Sequence, residues 1–218
     1  FPPLVPANPR NNGVTVGIKN NQNIVELMAL YPNPTNNFFR FQYFMKTNEN
    51  LSVVIYDILG NEVQSTNLGL RTRGLNEDVI YLTYPRYEME NFSVSENILQ
   101  GLGLKKYKSA GFCKELETLF IEMENPHFLK TLQPNFKMLI ESSTQIKEVV
   151  VTSISDNNNY DFILRSFCPW IGIDEDPVTG SIHSVLANFW KDRLKKNNLT
   201  AYQASERGGE VYIKAFDD

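Results

Sequence analysis

Cysteine and histidine are scarce in this 218-residue chain, two of each, and neither cysteine has a histidine at metal-ligand spacing. That excludes a disulfide framework and a zinc site built on the usual motifs, so Cys113 and Cys168 read as core thiols. Long apolar runs are absent too. Nothing approaches the roughly 20 residues that span a bilayer, and no signal-peptide pattern opens the chain. The first residue is Phe1 rather than methionine, which fits a processed or truncated product. Positive charge is in deficit, 21 Lys and Arg against 25 Asp and Glu for a net charge of -4, which argues against a nucleic-acid binder that works through phosphates. No repeat recurs at solenoid periods. What remains, 42% hydrophobic and 21% charged, is a soluble globular chain with enough material for one or two cores.

Chemistry-bearing residues concentrate in Gly172-Ile-Asp-Glu-Asp-Pro-Val-Thr-Gly-Ser-Ile-His183. An amphipathic stretch follows directly: Ile182, Val185, Leu186, Phe189, Trp190 and Leu194 recur at helical spacing, and Ser184, Asn188, Lys191, Asp192 and Lys195 fill the other face. The spacing predicts a helix over 180–195, too broadly apolar to lie on a surface. Basic residues crowd its last turn, and Asn197-Asn198 offers a left-handed stop. A helix start leaves backbone NH groups unpaired and carries partial positive charge, so it suits a carboxylate or phosphate. Gly180 lets a ligand approach closely, and Thr179 and Ser181 add hydroxyls. The plainer alternative makes Thr179 or Ser181 only an N-cap and Asp174, Glu175 and Asp176 only a favourable charge at the positive end.

Elsewhere the pattern is mixed. Residues 1–23 are rich in Pro, Asn and Gly and read as an extended arm. Phe38 to Phe44 is an aromatic strand after the Pro32-Asn-Pro34 turn, and Leu51, Val53 and Ile55 alternate with Ser52, Val54 and Tyr56 before a turn at Asp57 to Gly60. Those aromatics read as core, since no basic groove accompanies them to make a nucleic-acid stacking platform. Ser95 to Leu104 is a short helix, Phe112 to Met123 is strand or helix, and Phe136 to Ser142 is a helix. Ile146 to Ile154 and Tyr160 to Phe167 form a hairpin through Asp156-Asn-Asn-Asn159.

The stretch Arg165-Ser-Phe-Cys-Pro-Trp-Ile-Gly-Ile-Asp-Glu-Asp-Pro-Val-Thr-Gly-Ser-Ile-His183, followed by Ala201-Tyr-Gln-Ala-Ser-Glu-Arg-Gly-Gly209, resembles the C-terminal half of the phenazine-biosynthesis PhzF-like isomerase family. Order and spacing agree with that family's R-x-F-x-P, G-I-x-E-D-P-V-T-G-S-A-H and Q-x-S-x-R-G-G patterns, and Ile182 departs where alanine is usual. Ile80-Tyr-Leu-Thr-Tyr-Pro85 extends the likeness back to about residue 73. The resemblance implies an α+β fold, a diaminopimelate-epimerase-like half with a curved mixed sheet around a central helix, and a site in the cleft between two such halves. It implies Asp176 as acid/base, Ser181 and the NH groups of Gly180 and Ser181 as carboxylate holders, His183 as a further catalytic group, and Thr179, Arg207, Gly208 and Gly209 along the substrate. It implies a small carboxylate-bearing substrate, no metal or other cofactor, a homodimer and a cytoplasmic setting. Epimerases of the wider fold can use a cysteine pair, which leaves Cys168 a minor claim to reactivity. The family's principal glutamate belongs to an S-E-T-A-F-like motif, beside a C-G-H-A-T loop, in the N-terminal half. Neither motif occurs in these residues, so weak or absent turnover by this chain alone is expected.

Residues 24–72 resemble something else. Leu30-Tyr-Pro-Asn-Pro-Thr-Asn36 and Leu51-Ser-Val-Val-Ile-Tyr-Asp-Ile-Leu-Gly-Asn-Glu-Val63 are similar to the sorting domain of type IX secretion substrates, a small β-sandwich that normally ends a chain. The competing expectation is therefore a non-catalytic, secreted or surface-associated binding protein. A fusion of two unrelated parts accounts for the contradictory positions.

Overall fold

The aromatic and β-branched runs become strands, arranged in two separate units. The computed structural model describes residues 15–16, 25–31, 38–56, 62–81 and 84–216. Contacts divide the chain into Phe1–Thr83 and Tyr84–Asp218, and each unit has its own core. The expected turns at Pro32-Asn-Pro34 and Asp57 to Gly60 lie outside the described residues, as does the arm apart from Thr15–Val16.

The first unit holds β1 (Thr15–Val16), β2 (Val25–Tyr31), β3 (Phe38–Met45), β4 (Glu49–Tyr56), β5 (Glu62–Arg71) and β6 (Gly74–Tyr81). They form two antiparallel sheets, β1-β4-β5 and β2-β3-β6. Alternation decides what each strand buries: Phe41, Tyr43 and Met45 from one sheet meet Leu51, Val53 and Ile55 from the other in one apolar layer. The Tyr43 hydroxyl donates to Asp78 at 2.6 Å, and Arg71 grips the same carboxylate with two nitrogens at 2.8 and 3.0 Å. Burial, then Asp78, pushes the Tyr43 phenol up to about 12, so it stays a donor.

The second unit contains β7 (Glu90–Asn91), α1 (Glu96–Leu102), β8 (Ser109–Cys113), β9 (Thr118–Glu122), α2 (Pro126–Lys130) and α3 (Phe136–Ser142). It continues with β10 (Glu148–Ile154), β11 (Phe162–Cys168), β12 (Ile173–Asp176), α4 (His183–Leu194), β13 (Asn198–Gln203) and β14 (Gly209–Lys214). Its mixed sheet runs β14-β13-β11-β10-β9-β8-β7, with β12 paired to β11. The β9–β10 and β11–β13 pairs are parallel. Both faces are covered. Leu119, Ile121, Val149, Val151, Ile163 and Phe167 pack under α1, α2 and α3, while Phe120, Val150, Phe162 and Leu164 pack under α4. Two-sided burial explains why Phe112 to Met123 showed no period: it is the end of β8, a turn and all of β9, whose five residues are all buried.

Local signals set the short helices. Ser95 caps α1 through the Ile98 amide, left-handed Gly103 ends it, and Asn135 caps α3. Helix α4 departs from expectation at both ends. It begins at His183, and Ile182 stands at its N-cap without a side-chain bond, because the Thr179 hydroxyl is turned to Asp176. It stops at left-handed Lys195, since Asn198 already belongs to β13 and pairs with Lys214. The helix is a core element all the same. Trp190 is 2% exposed, stacks on Phe162 at 5.3 Å and donates its ring NH to Thr152 Oγ1 at 3.1 Å, and Phe189 is half-buried.

Both tryptophans, Trp170 and Trp190, lie in the second unit, so fluorescence reports on it selectively. Trp190→Ala is expected to cost about 3–5 kcal/mol, read from urea unfolding through the remaining Trp170. A loss below about 1 kcal/mol would show that α4 is not a core element.

Candidate functional site

The motif of 172–183 folds as a strand, a tight loop and a helix start, stitched to a second loop by one glutamine. Gln203, at the end of β13 and fully buried, accepts from the Thr179 amide at 2.8 Å and donates to the Asp176 carbonyl at 2.6 Å. Ser205 donates to the Pro177 carbonyl at 2.7 Å. Gly208 is left-handed at φ +69°, and a Cβ there would collide with the Tyr202 hydroxyl; a Cβ on Gly209 would collide with Val178. The two glycines thus let residues 205–209 close on 176–179. Glu175, Pro177, Ser205, Glu206 and Arg207 line an open depression of about 470 Å³, with Arg207 exposed at its rim.

Within this frame Asp176 is half-buried, and its Oδ2 accepts from Thr179 Oγ1 at 2.7 Å. The entry to α4 uses three-residue turns: the His183 amide donates to Gly180 and the Ser184 amide to Ser181, at 3.1 and 3.0 Å. The amides of Gly180, Ser181 and Ile182 meet no acceptor among the described residues. Ser181 is exposed, whereas Gly180 and Thr179 are buried. The neighbouring acids are managed separately. Arg165 binds Glu175 through two nitrogens, both at 2.7 Å, and Asp174 faces solvent. Asp176 is left as the acid of this segment nearest the free amides in sequence.

His183 is 6% exposed, and neither ring nitrogen completes a hydrogen bond, although the backbone of Gly180 and Thr179 lies close. Burial pushes its pKa down to about 4, so the imidazole is neutral across the physiological range. Cys168 is buried as well; burial, then the Glu148 and Asp176 charges, pushes its thiol up to about 12, the opposite of an activated nucleophile. The structure thus brings Asp176, Thr179, Gly180, Ser181 and His183 together on one turn and sets Arg207, Gly208 and Gly209 on the adjoining loop. Among the described residues, no group of three or more His, Cys, Asp or Glu is placed to hold a metal ion.

Glu148, the first residue of β10, was not singled out by sequence pattern. Its two carboxylate oxygens accept from Ser166 and, at 3.2 Å, from Thr118. Part of the residue reaches solvent but the carboxyl is enclosed, and burial, reinforced by the Asp176 charge, pushes it up to about 7 against the Ser166 and Thr118 bonds. Its signal was a single acid opening the apolar run Glu148-Val-Val-Val151.

Burial of His183 and Glu148 has opposite consequences for stability. The folded His183 holds fewer protons than the unfolded chain between about 4 and 6.5, so stability rises with pH there. The folded Glu148 holds more protons between 4.5 and about 7, so stability falls with pH there. Each effect is on the order of 3 kcal/mol, and the two offset each other from about pH 4.5 to 6.5. The unit's unfolding free energy, followed by tryptophan fluorescence, is therefore expected to be nearly flat in that window. His183→Leu should unmask a fall with rising pH and Glu148→Gln a rise; equal profiles for all three would refute the assignment.

A family model described as phenazine biosynthesis-like protein, PhzC-PhzF, matches residues 71–217, and one described as a secretion system C-terminal sorting domain matches residues 29–83. The chain is 37% identical over 154 residues to an uncharacterized isomerase of Halalkalibacterium halodurans, across 70% of this chain and 56% of that protein. It is 29% identical over 160 residues to the mouse phenazine biosynthesis-like domain-containing protein 1, across 68% and 56%. Among solved structures, an Enterococcus faecalis protein of the PhzF family superposes with TM-score 0.58 at 29% identity, covering 66% of this chain and 55% of that one. A Bacillus anthracis PhzF-family protein gives TM-score 0.58 at 16% identity, covering 75% and 60%, a likeness of fold alone. The chain spans little more than half the length of the curated relatives it matches. Its mixed sheet around α4 is the α+β fold of these neighbours, and through residues 71–217 the chain belongs to the phenazine biosynthesis-like PhzC-PhzF family.

Proposed function

We propose that the protein is an isomerase or epimerase that moves a proton on a small carboxylate-bearing metabolite without a metal or organic cofactor. One observation supports this most: a carboxylate, Asp176, is fixed by Thr179 and by the Gln203 clamp four residues ahead of the first of the helix-start amides that meet no acceptor among the described residues. In this reading the substrate carboxylate takes the amides of Gly180 and Ser181 and the Ser181 hydroxyl, where the helix end favours negative charge. Arg207, Gly208 and Gly209 border the bound molecule. Asp176 removes or returns the proton on the carbon next to the carboxylate. Neutral His183 supports the Gly180 turn from beneath and adds no positive charge. A reaction of this type needs a second group across the substrate, which a second copy of the chain or further polypeptide would supply; turnover by this chain alone is weak or absent.

Exchange of the substrate's α-hydrogen for deuterium, followed by NMR with small carboxylates, is the direct test. Asp176→Asn is expected to lower exchange about 100- to 10,000-fold, and Ser181→Ala to weaken binding with less effect on rate. Exchange that survives Asp176→Asn would show that another group does the work. The sorting-domain match at 29–83 favours a second reading, in which the first unit directs the chain to a secretion apparatus and the second binds without catalysis. Finding the full chain at the cell surface supports that reading, and confinement to the cytoplasm overturns it.

A further inference from the structure

A line of polar side chains crosses the second unit's sheet beneath α4, on the face that also carries Phe120, Val150, Phe162 and Leu164. Thr118 on β9 stands opposite Glu148 on β10, and Ser166 on β11 stands opposite Asp176 on β12. Hydrogen bonds connect its first three members, since Ser166 donates to one oxygen of Glu148 and Thr118 shares its proton between the other oxygen at 3.2 Å and the Leu116 carbonyl at 2.9 Å, and the strand register sets Ser166 opposite Asp176. Ser166 is fully buried and Thr118 likewise. No cation pairs with Glu148 among the described residues, in contrast to buried Glu122, which Lys108 and Arg193 both meet. The groups facing Glu148 are two hydroxyls, the Asp176 carboxylate and the Cys168 thiol. Enclosure and the acid beyond, with no cation to answer them, hold this carboxyl in its neutral, proton-bearing form against the pull of the two hydroxyl bonds.

We propose that Glu148 is a positioning residue that keeps the reserve proton for Asp176. This rests on the reading of Asp176 as the acid/base group. When Asp176 has given up a proton to substrate, the Ser166 hydroxyl turns from Glu148 to the Asp176 opposite it in register, donates its own proton there and takes the proton that leaves Glu148 Oε. Glu148 becomes a carboxylate, Asp176 a neutral carboxyl, and the next deprotonation of substrate reverses the transfer. No oxidant, metal or other reactant enters. Glu148 itself touches no substrate, because Thr118 and Ser166 enclose its head.

The test follows the glutamate side-chain carboxyls by 13C NMR in the full-length chain from pH 4 to 9. One resonance is expected to titrate near 7, to vanish in Glu148→Gln, and to move toward the ordinary glutamate range in Asp176→Asn, where the facing charge is gone. A Glu148 resonance that titrates in the ordinary range, or that ignores Asp176→Asn, overturns the proposal. Exchange of substrate α-hydrogen supplies the functional arm: Glu148→Gln is expected to lower the maximal rate about tenfold or more with substrate affinity unchanged, and to abolish the rate's dependence on pH near 7. Ser166→Ala should reproduce the rate loss with the neutral Glu148 retained. A merely structural role would instead lower affinity and unfolding stability together and leave the pH dependence in place, which also overturns it. No exchange in any variant, with the two carboxyls still coupled, counts against the isomerase reading and supports the pair; uncoupled carboxyls count against the pair whatever the exchange shows.

Discussion

The covering of β9, β10 and β11 on both faces is the constraint from which the second unit's other properties follow. Residues of alternate parity must find apolar partners in α1, α2 and α3 on one side and in α4 on the other. This fixes α4 by its Val185, Leu186 and Trp190 side chains, and so fixes where its first turn lies. Any polar residue on those strands is then buried by position rather than by preference. Thr118, Glu148, Ser166 and Thr152 are such residues, and each is satisfied by a neighbour in the same layer. His183 enters the layer from the helix side and finds no such neighbour, which makes it the costliest polar ring of the site.

Gln203 links that core to the surface loops. It belongs to β13, which pairs with β11 through Leu164, and its amide answers both the Thr179 NH and the Asp176 carbonyl. The loop that carries Asp176 is thereby tied to the sheet by one side chain with a donor and an acceptor at its tip. Hydrophobic contact could not do this, because the loop offers backbone groups that need hydrogen bonds. Gly208 and Gly209 complete the arrangement by leaving room for Tyr202 and Val178, so rigidity at the rim comes from absent side chains as much as from bonds.

Legibility in the sequence tracks how local the deciding interaction is. The ends of α1 were readable because Ser95 and Gly103 act within one turn of the backbone. The inward set Leu51, Val53 and Ile55 was readable because one face of β4 is buried and the other is not. Periodicity vanishes where both faces are covered, so it does not distinguish strand from helix at β9. At α4 the local hydroxyl rule lost to a tertiary partner: Thr179 serves Asp176 instead of the helix, and Asn198 serves β14 through Lys214 instead of the helix stop. The motif gave Asp176, Gly180 and Ser181 their neighbourhood, since they are close in sequence. Glu148 was invisible for the converse reason. It stands 28 residues from Asp176 in the chain and reaches it only across β11.

The three consecutive acids ahead of the Gly180 turn are each disposed of differently. Asp174 lies in water, where high dielectric screens its charge. Glu175 is matched by Arg165, whose side chain is 11% exposed, also donates to the Leu132 carbonyl and sits 4.9 Å over the Phe167 ring. That pair is anchored on the sheet and cannot swing toward the turn. Only Asp176 faces the loop, and its Oδ2 is occupied by Thr179. For the proposed carboxylate, repulsion from Asp176 is then the remaining opposing force, set against the helix end and the three amides that meet no acceptor among the described residues. A proton on Asp176 removes that repulsion. In the proposed reaction a carboxylate on the turn is therefore best tolerated when Asp176 carries the proton it is to give.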